Sequence, residues 1–160
     1  KKNNKLRLLG GYCWDWVSKG REDTNVHDIK IHEKNFSMSW NLNNTSTWLI
    51  NKDSVNQIGC IHTSQGLELD YVGVIFGLDM QFKNGKIITD YEKRARTDQS
   101  LRGIKKMAKK NSQKAEKIAD KIIKNTYRTL MTRGMKGCYI YCCDKALGEY
   151  FKKRIKMTET

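Results

Sequence analysis

The sequence predicts an α/β domain in which a largely parallel sheet is flanked by helices, and three observations carry that reading. The runs "NQIGCIH" and "YVGVIFGLD" are almost continuously apolar and rich in β-branched residues, the pattern of strands buried on both faces. From Ser112 to Met131 a helical period takes over, with Ala115, Ile118, Ala119, Ile122, Ile123, Tyr127, Leu130 and Met131 recurring at three- and four-residue spacing. Strand-like and helix-like segments then alternate to the end of the chain, as a parallel sheet with helical crossovers requires. At 160 residues the chain is one domain's worth, long enough to bury a core without disulfides or metal.

The elements follow in order. Residues 6–13, "LRLLGGYC", read as the first strand, after which "YCWDWVSKG" runs out into a polar stretch. Trp14 and Trp16 offer flat faces on which nucleobases stack. A packed or half-exposed aromatic pair is the commoner role. Residues 20–56 hold short β-prone pieces, "DIKIHE", "FSMSW" and "TWLIN", between Asn-, Ser- and Thr-rich turns, and predict short strands on a loop-rich face. "QFKNGKIIT" sets Asn-Gly between β-prone segments, a hairpin signal. Residues 90–103, "DYEKRARTDQSLRG", read as an exposed basic loop. The long helical stretch begins near Ile104, and Lys114, Lys117, Lys121, Lys124 and Arg128 fall mostly away from its apolar positions. One face therefore packs on the sheet and the other is basic. Gly134 and Gly137 end that helix, "CYIYCC" reads as another buried strand, and "DKALGEYFKKRI" as a closing helix started by Asp144.

Charge is distributed unevenly. Of a net charge of +14, residues 1–80 contribute nothing, with nine Lys/Arg against nine Asp/Glu, while residues 81–160 carry 22 against eight. A polyanion is the natural partner, although Lys-rich helix faces are also commonly just solvated surface. The five cysteines are an odd number, Cys142 and Cys143 are adjacent, and no leading apolar segment resembles a signal peptide. Reduced thiols in the cytoplasm are expected, with nothing spanning a membrane. No metal site is expected either. Cys138, Cys142 and Cys143 lack paired C-x-x-C spacing, and His27 and His32 lack a third ligand. No Ser-His-Asp or Cys-His grouping emerges.

Two stretches carry chemistry. In "GCIHTSQGLELDYVGVI" a strand is followed by His62, Thr63, Ser64, Gln65 and Gly66, then Glu68. Hydroxyls, an amide and exposed N–H groups beside a glycine suit phosphate oxygens, and ligands of open α/β sheets bind at the carboxyl ends of strands. Taken alone, such a turn is more often a satisfied strand end than a site. In "NTYRTLMTRGMKGCYIYCC" the helical pattern passes through Thr-Arg-Gly into an apolar strand and leaves Arg133 at the junction. Its always-charged planar fork suits a phosphate. A helix-end arginine interacting with the macrodipole has the same spacing, and both readings stay open on spacing alone.

Together the two stretches resemble motifs V and VI of superfamily 1 helicases, in the right order and separated by a helix. The likeness is closest to the Schlafen-type DNA/RNA helicase domain and its bacterial relatives, where "GYCWDW", "QGLELDYVGVI" and "NTYRTLMTRGMKGCYIYC" have counterparts, and it covers most of residues 6–151. The resemblance implies a RecA-like fold, the second of two that sandwich ATP in a P-loop NTPase helicase. It implies Arg133 as an arginine finger to the γ-phosphate, and Gln65, Gly66 and Glu68 near the nucleotide. His62, Thr63 and Ser64 match the edge that contacts a single-stranded DNA or RNA backbone. Gly134 departs from a common alanine.

No G-x-x-x-x-G-K-[ST] occurs in the 160 residues, and no Asp-Glu pair ends a strand. The groups that grip ATP and Mg²⁺ are then expected in an upstream RecA-like domain of the same polypeptide, of which residues 1–160 are a single-domain fragment. The isolated chain is expected to be inactive. The alternative is a non-catalytic nucleic-acid-binding module with a degenerate helicase fold.

Overall fold

The computed structural model describes residues 5–19, 25–41 and 48–158. β1 (Leu6–Gly10) pairs in parallel with β4 (Gln57–Gly59) on one side and β5 (Leu69–Phe76) on the other. β8 (Gly134–Cys142) extends the sheet in parallel beyond β5, and β3 (Phe36–Trp40) does so beyond β4. Beyond β3, β2 (Ile29–Ile31) is antiparallel, giving the order β2-β3-β4-β1-β5-β8. The expected α/β architecture with a mainly parallel sheet is present, and it is compatible with a RecA-like fold. The Asn-Gly signal also holds: β6 (Met80–Lys83) and β7 (Lys86–Thr89) form a separate hairpin. Both turn residues take positive φ, 50° at Asn84 and 75° at Gly85, as a tight type I′ turn demands.

The single long helical stretch is two helices, α1 (Ile104–Lys110) and α2 (Ser112–Met131). Asn111 divides them with φ −156° and ψ 94°. Its N–H donates to Met107 O at 2.8 Å and closes α1, while its side-chain oxygen accepts from Lys114 N at 2.9 Å and opens α2. α3 (Lys145–Lys156) starts where the sequence indicated, with Asp144 Oδ1 accepting from Leu147 N at 2.8 Å.

α2 lays Ala115, Ala119, Ile123, Tyr127 and Leu130 into one core with Val72, Val74 and Phe76, the alternate residues of β5. Phe76 and Tyr127 stack at 4.1 Å between centroids. Each fully buried aliphatic or aromatic side chain contributes roughly 1.5–3 kcal/mol, so this helix–strand seam is a large contributor to the fold's stability. Ile104 of α1 and Leu147 of α3 join the same cluster. The opposite face gathers Tyr12, Ile29, Trp40, Ile58 and Ile75, with Leu8, Trp14, Trp16, Phe36 and Tyr141 half-buried around them, and it contains no residue of α1, α2 or α3. Among the described residues the helices therefore cover one face, and loop aromatics partly cover the other. Trp14 and Trp16 are a packed pair: Trp16 lies 6.4 Å from both Tyr12 and Trp40, and Trp40 Nε1 donates to Trp14 O.

Three expectations change. Residues 90–103 are not simply exposed, because Arg94 and Asp98 are buried and Arg94 pairs with both Asp98 and Asp79. "CYIYCC" ends an edge strand with Tyr139 67 % exposed, since β8 has a neighbour on one side among the described residues. Within "TWLIN", Trp48–Ile50 form a turn in which Trp48 is buried and donates from Nε1 to Gln57 Oε1; Thr47, like the rest of 42–47 and 20–24, lies outside the described residues. No helix of the described residues is long and apolar enough to cross a membrane.

Candidate functional site

Both motif-bearing segments lead into a strand, and the strands they lead into are neighbours. α2 ends at Met131; Thr132 N then donates to Arg128 O and Arg133 N to Leu130 O, which turns the chain into β8. The carbonyl of Arg133 accepts from Leu69 N at 3.0 Å, and Gly134 pairs with Leu69 in register. Glu68 and Arg133 thus stand side by side at the amino ends of β5 and β8. A register shift follows between Leu69 and Tyr71, where Asp70 N and Tyr71 N both donate to Lys5 O. Lys136 Nζ reaches Asp70 Oδ2 at 3.0 Å across the same rim.

Arg133 is half-buried, and its Nε donates to Thr129 O at 3.3 Å, so the stem of the side chain is steadied by the last turn of α2. Its terminal nitrogens have no partner among the described residues. Gly134 is fixed by space rather than by φ: a Cβ there would overlap the carbonyl oxygen of Gly137 and come within 2.9 Å of Val72 Cγ2. The departure from alanine is therefore matched by the close passage of residues 134 and 137 at the start of β8.

The turn of residues 60–68 spans the sheet. Gly59 is level with Leu9, and Leu9 with Val74, five residues along β5 from Leu69. At about 3.3 Å per residue the chain then travels roughly 16 Å against the strand direction to reach the amino end of β5. Ile61 and Leu67 pack on the helix-bearing face during this crossing. The expected location at a carboxyl strand end therefore holds for the beginning of the turn, after β4, whereas Glu68 and Arg133 lie at amino ends because each precedes its strand.

Within the turn the side chains differ. Thr63 is 2 % exposed; its Oγ1 donates to Asn41 Oδ1 at 2.6 Å and accepts from Cys60 N at 3.4 Å. Ser64 is fully buried, with its N–H donating to Cys60 O and its hydroxyl to Ile61 O. These two hydroxyls hold the turn. His62, Gln65, Gly66 and Glu68 are exposed. Gly66 has φ 75°, and nothing lies within 4 Å of where its Cβ would be, so its backbone is open to an approaching group.

A second polar assembly lies at the other end of β5 and escaped the sequence reading. Tyr127 on α2 donates its hydroxyl to Asp79 Oδ1 at 2.5 Å and accepts from Gly77 N at 2.9 Å. Arg94 bridges Asp79 at 2.9 Å and Asp98 at 2.7 Å, all buried. Burial opposes the charge on Arg94, but Asp98 and Asp79 outweigh it and raise its pKa. Burial first, then Cys13 and Asp79, push the Tyr127 phenol well up. The Arg-x-x-x-Asp spacing of 94 and 98 was the available signal; its partner Asp79 is not visible in sequence. Among the described residues no group of His, Cys, Asp and Glu is arranged to hold a metal ion, and the cysteines there are free.

The family model described as Schlafen group 3, DNA/RNA helicase domain, matches residues 1–144. The uncharacterized protein YPL245W of Saccharomyces cerevisiae is 31% identical over 148 residues, which are 91% of this chain and 31% of that protein. The chain thus spans under a third of this relative's length. No solved structure matches the chain.

Proposed function

The chain belongs to the Schlafen group 3 DNA/RNA helicase-domain family, and on that premise we propose that it is the second RecA-like half of a superfamily 1 type ATP-driven helicase or translocase. The observation that carries this reading is the hydrogen bond from Leu69 N to Arg133 O, which joins the two motif-bearing segments at one strand-end rim. ATP with Mg²⁺, when bound, supplies the phosphoryl group whose transfer drives the motor. The rim fits one edge of such a nucleotide. Arg133 has a steadied stem and unpartnered terminal nitrogens, Gly66 presents open backbone, and the exposed Gln65 and Glu68 suit sugar hydroxyls. In this role Arg133 stabilises charge as it develops on the transferred group, an effect of about 10³–10⁵ in rate for arginine fingers.

The remaining parts are assigned by chemistry. G-x-x-x-x-G-K-[ST] does not occur in these 160 residues, so the phosphate loop and the Mg²⁺ ligands belong to a companion RecA-like domain of the same polypeptide. The greater length of the yeast relative is consistent with this. At the nucleic-acid edge, His62 and the turn's backbone meet the strand, while Thr63 and Ser64 keep the turn in shape.

A second reading has one observation in its favour. The Arg133 Nε bond to Thr129 O is also what a helix-end arginine makes when it only satisfies its own last turn, as in a non-catalytic binding module. Nucleotide assays on the isolated chain test the two-half assignment. It is expected to show no ATP turnover above background and only weak ATP binding; robust Mg²⁺-dependent turnover by this chain alone contradicts it.

A further inference from the structure

We propose that the outer face of α1 and α2 is a docking surface for the phosphate backbone of double-stranded nucleic acid, separate from the rim that carries Arg133. Residues 104–131 contain nine cations, Lys105, Lys106, Lys109, Lys110, Lys114, Lys117, Lys121, Lys124 and Arg128, against two acids, Glu116 and Asp120. All nine are exposed. Among the described residues only Lys124 of this set has an acidic partner, Asp120 at 2.8 Å.

Their arrangement on α2 is ordered. Residues 114, 117, 121, 124 and 128 recur at alternating steps of three and four, which at 3.6 residues per turn confines them to about 80° of arc. That arc is opposite the buried positions Ala115, Ala119, Ile123 and Leu130. The five span about 21 Å of helix at 1.5 Å per residue, a straight row of positive charge. Its last member, Arg128, is five residues before Arg133, so the row runs toward the proposed motor rim.

The chemistry selects the occupant. Single strands are held by aromatic side chains interleaved with cations, but α1 has no aromatic residue and Tyr127, the only one on α2, is 1 % exposed. A row of charges without stacking platforms matches a phosphate backbone whose bases are already stacked, that of a duplex. Eight of the nine cations are lysines, point charges without the planar fork that reads base edges, so binding is independent of sequence. A membrane surface fits poorly, because the apolar face of α2 is spent on the sheet and cannot enter lipid. An acidic protein would find none of the buried aromatic anchors on which interfaces depend.

Anisotropy of a labelled 20-base-pair DNA duplex tests this, without nucleotide and with Arg133 intact, so the result stands apart from the fate of the motor reading. One variant carries Lys114→Gln, Lys117→Gln, Lys121→Gln and Arg128→Gln; a control loses the same charge through Lys30→Gln, Lys52→Gln, Lys83→Gln and Lys86→Gln. The first is expected to lose at least tenfold in affinity, and its slope of log K against log salt to fall by about 3.6, at roughly 0.9 per lost phosphate contact. The control is expected to lose under threefold. Lys105→Gln, Lys106→Gln, Lys109→Gln and Lys110→Gln on α1 should act like the first variant, which covers the case that the α2 set misfolds. The proposal is overturned by equal losses in stripe and control variants, by single strands of the same length losing as much affinity as duplex in the stripe variant, or by poly-glutamate or phosphatidylserine vesicles binding as tightly as duplex.

Discussion

Tyr127 ties three parts of the molecule together through one oxygen. It reaches from the buried side of α2, donates to Asp79, accepts from Gly77 N, and stacks its ring on Phe76. Tyr127→Phe keeps the stacking and removes the hydroxyl, leaving the Gly77 N–H buried without that acceptor. The expected loss is about 1–3 kcal/mol, read as a lower urea midpoint with an unchanged slope. Tyr139→Phe, on the exposed edge of β8, should change stability by no more than about 0.5 kcal/mol. A neutral Tyr127→Phe would mean that Arg94 alone satisfies Asp79 and that the Gly77 N–H finds another acceptor.

Asp144 does comparable work between elements. Its Oδ1 caps α3 through Leu147 N and also accepts from Phe82 N at 3.1 Å, so one carboxylate starts a helix and holds the β6–β7 hairpin against it. Asp144→Ala should cost about 1–2 kcal/mol and Asp144→Asn much less, measured by thermal melting. Just before it, burial raises the thiol of Cys142 from an ordinary 9.0 to about 12, aided by Cys143 and Asp144. Burial likewise raises Cys143 to about 11, aided by Asp79 and Glu33. A folded pKa above the unfolded one favours folding while the thiol stays protonated, so this contribution is complete below about pH 9 and is lost as pH rises toward 11–12. Replacing both by alanine should flatten the alkaline fall of the unfolding free energy relative to the parent chain. Parallel alkaline limbs would refute that origin.

At the scale of the whole molecule, what was legible in sequence follows from how local each signal is. The period of α2, the Asn-Gly hairpin and the Asp144 cap depend on residues within a few positions of one another, and each is found where the pattern indicated. The Asp79–Arg94–Asp98–Tyr127 network joins residues up to 48 positions apart and leaves no pattern along the chain. For the candidate site, order and residue types were readable. That Thr63 and Ser64 turn inward, and that Arg133 meets Leu69 across two adjacent strand ends, needed three dimensions. The motor reading rests on the guanidinium of Arg133. In a polypeptide that joins this domain to the proposed companion, steady-state ATP turnover of Arg133→Ala and Arg133→Lys separates the two roles, with melting temperatures alongside. As an arginine finger, Arg133→Ala should leave ATP binding largely intact and lower kcat by about 10²–10⁴, with little rescue by lysine, which lacks the planar fork. Normal kcat in Arg133→Ala, with only about 0.3–1 kcal/mol of stability lost and lysine restoring it, would contradict the claim.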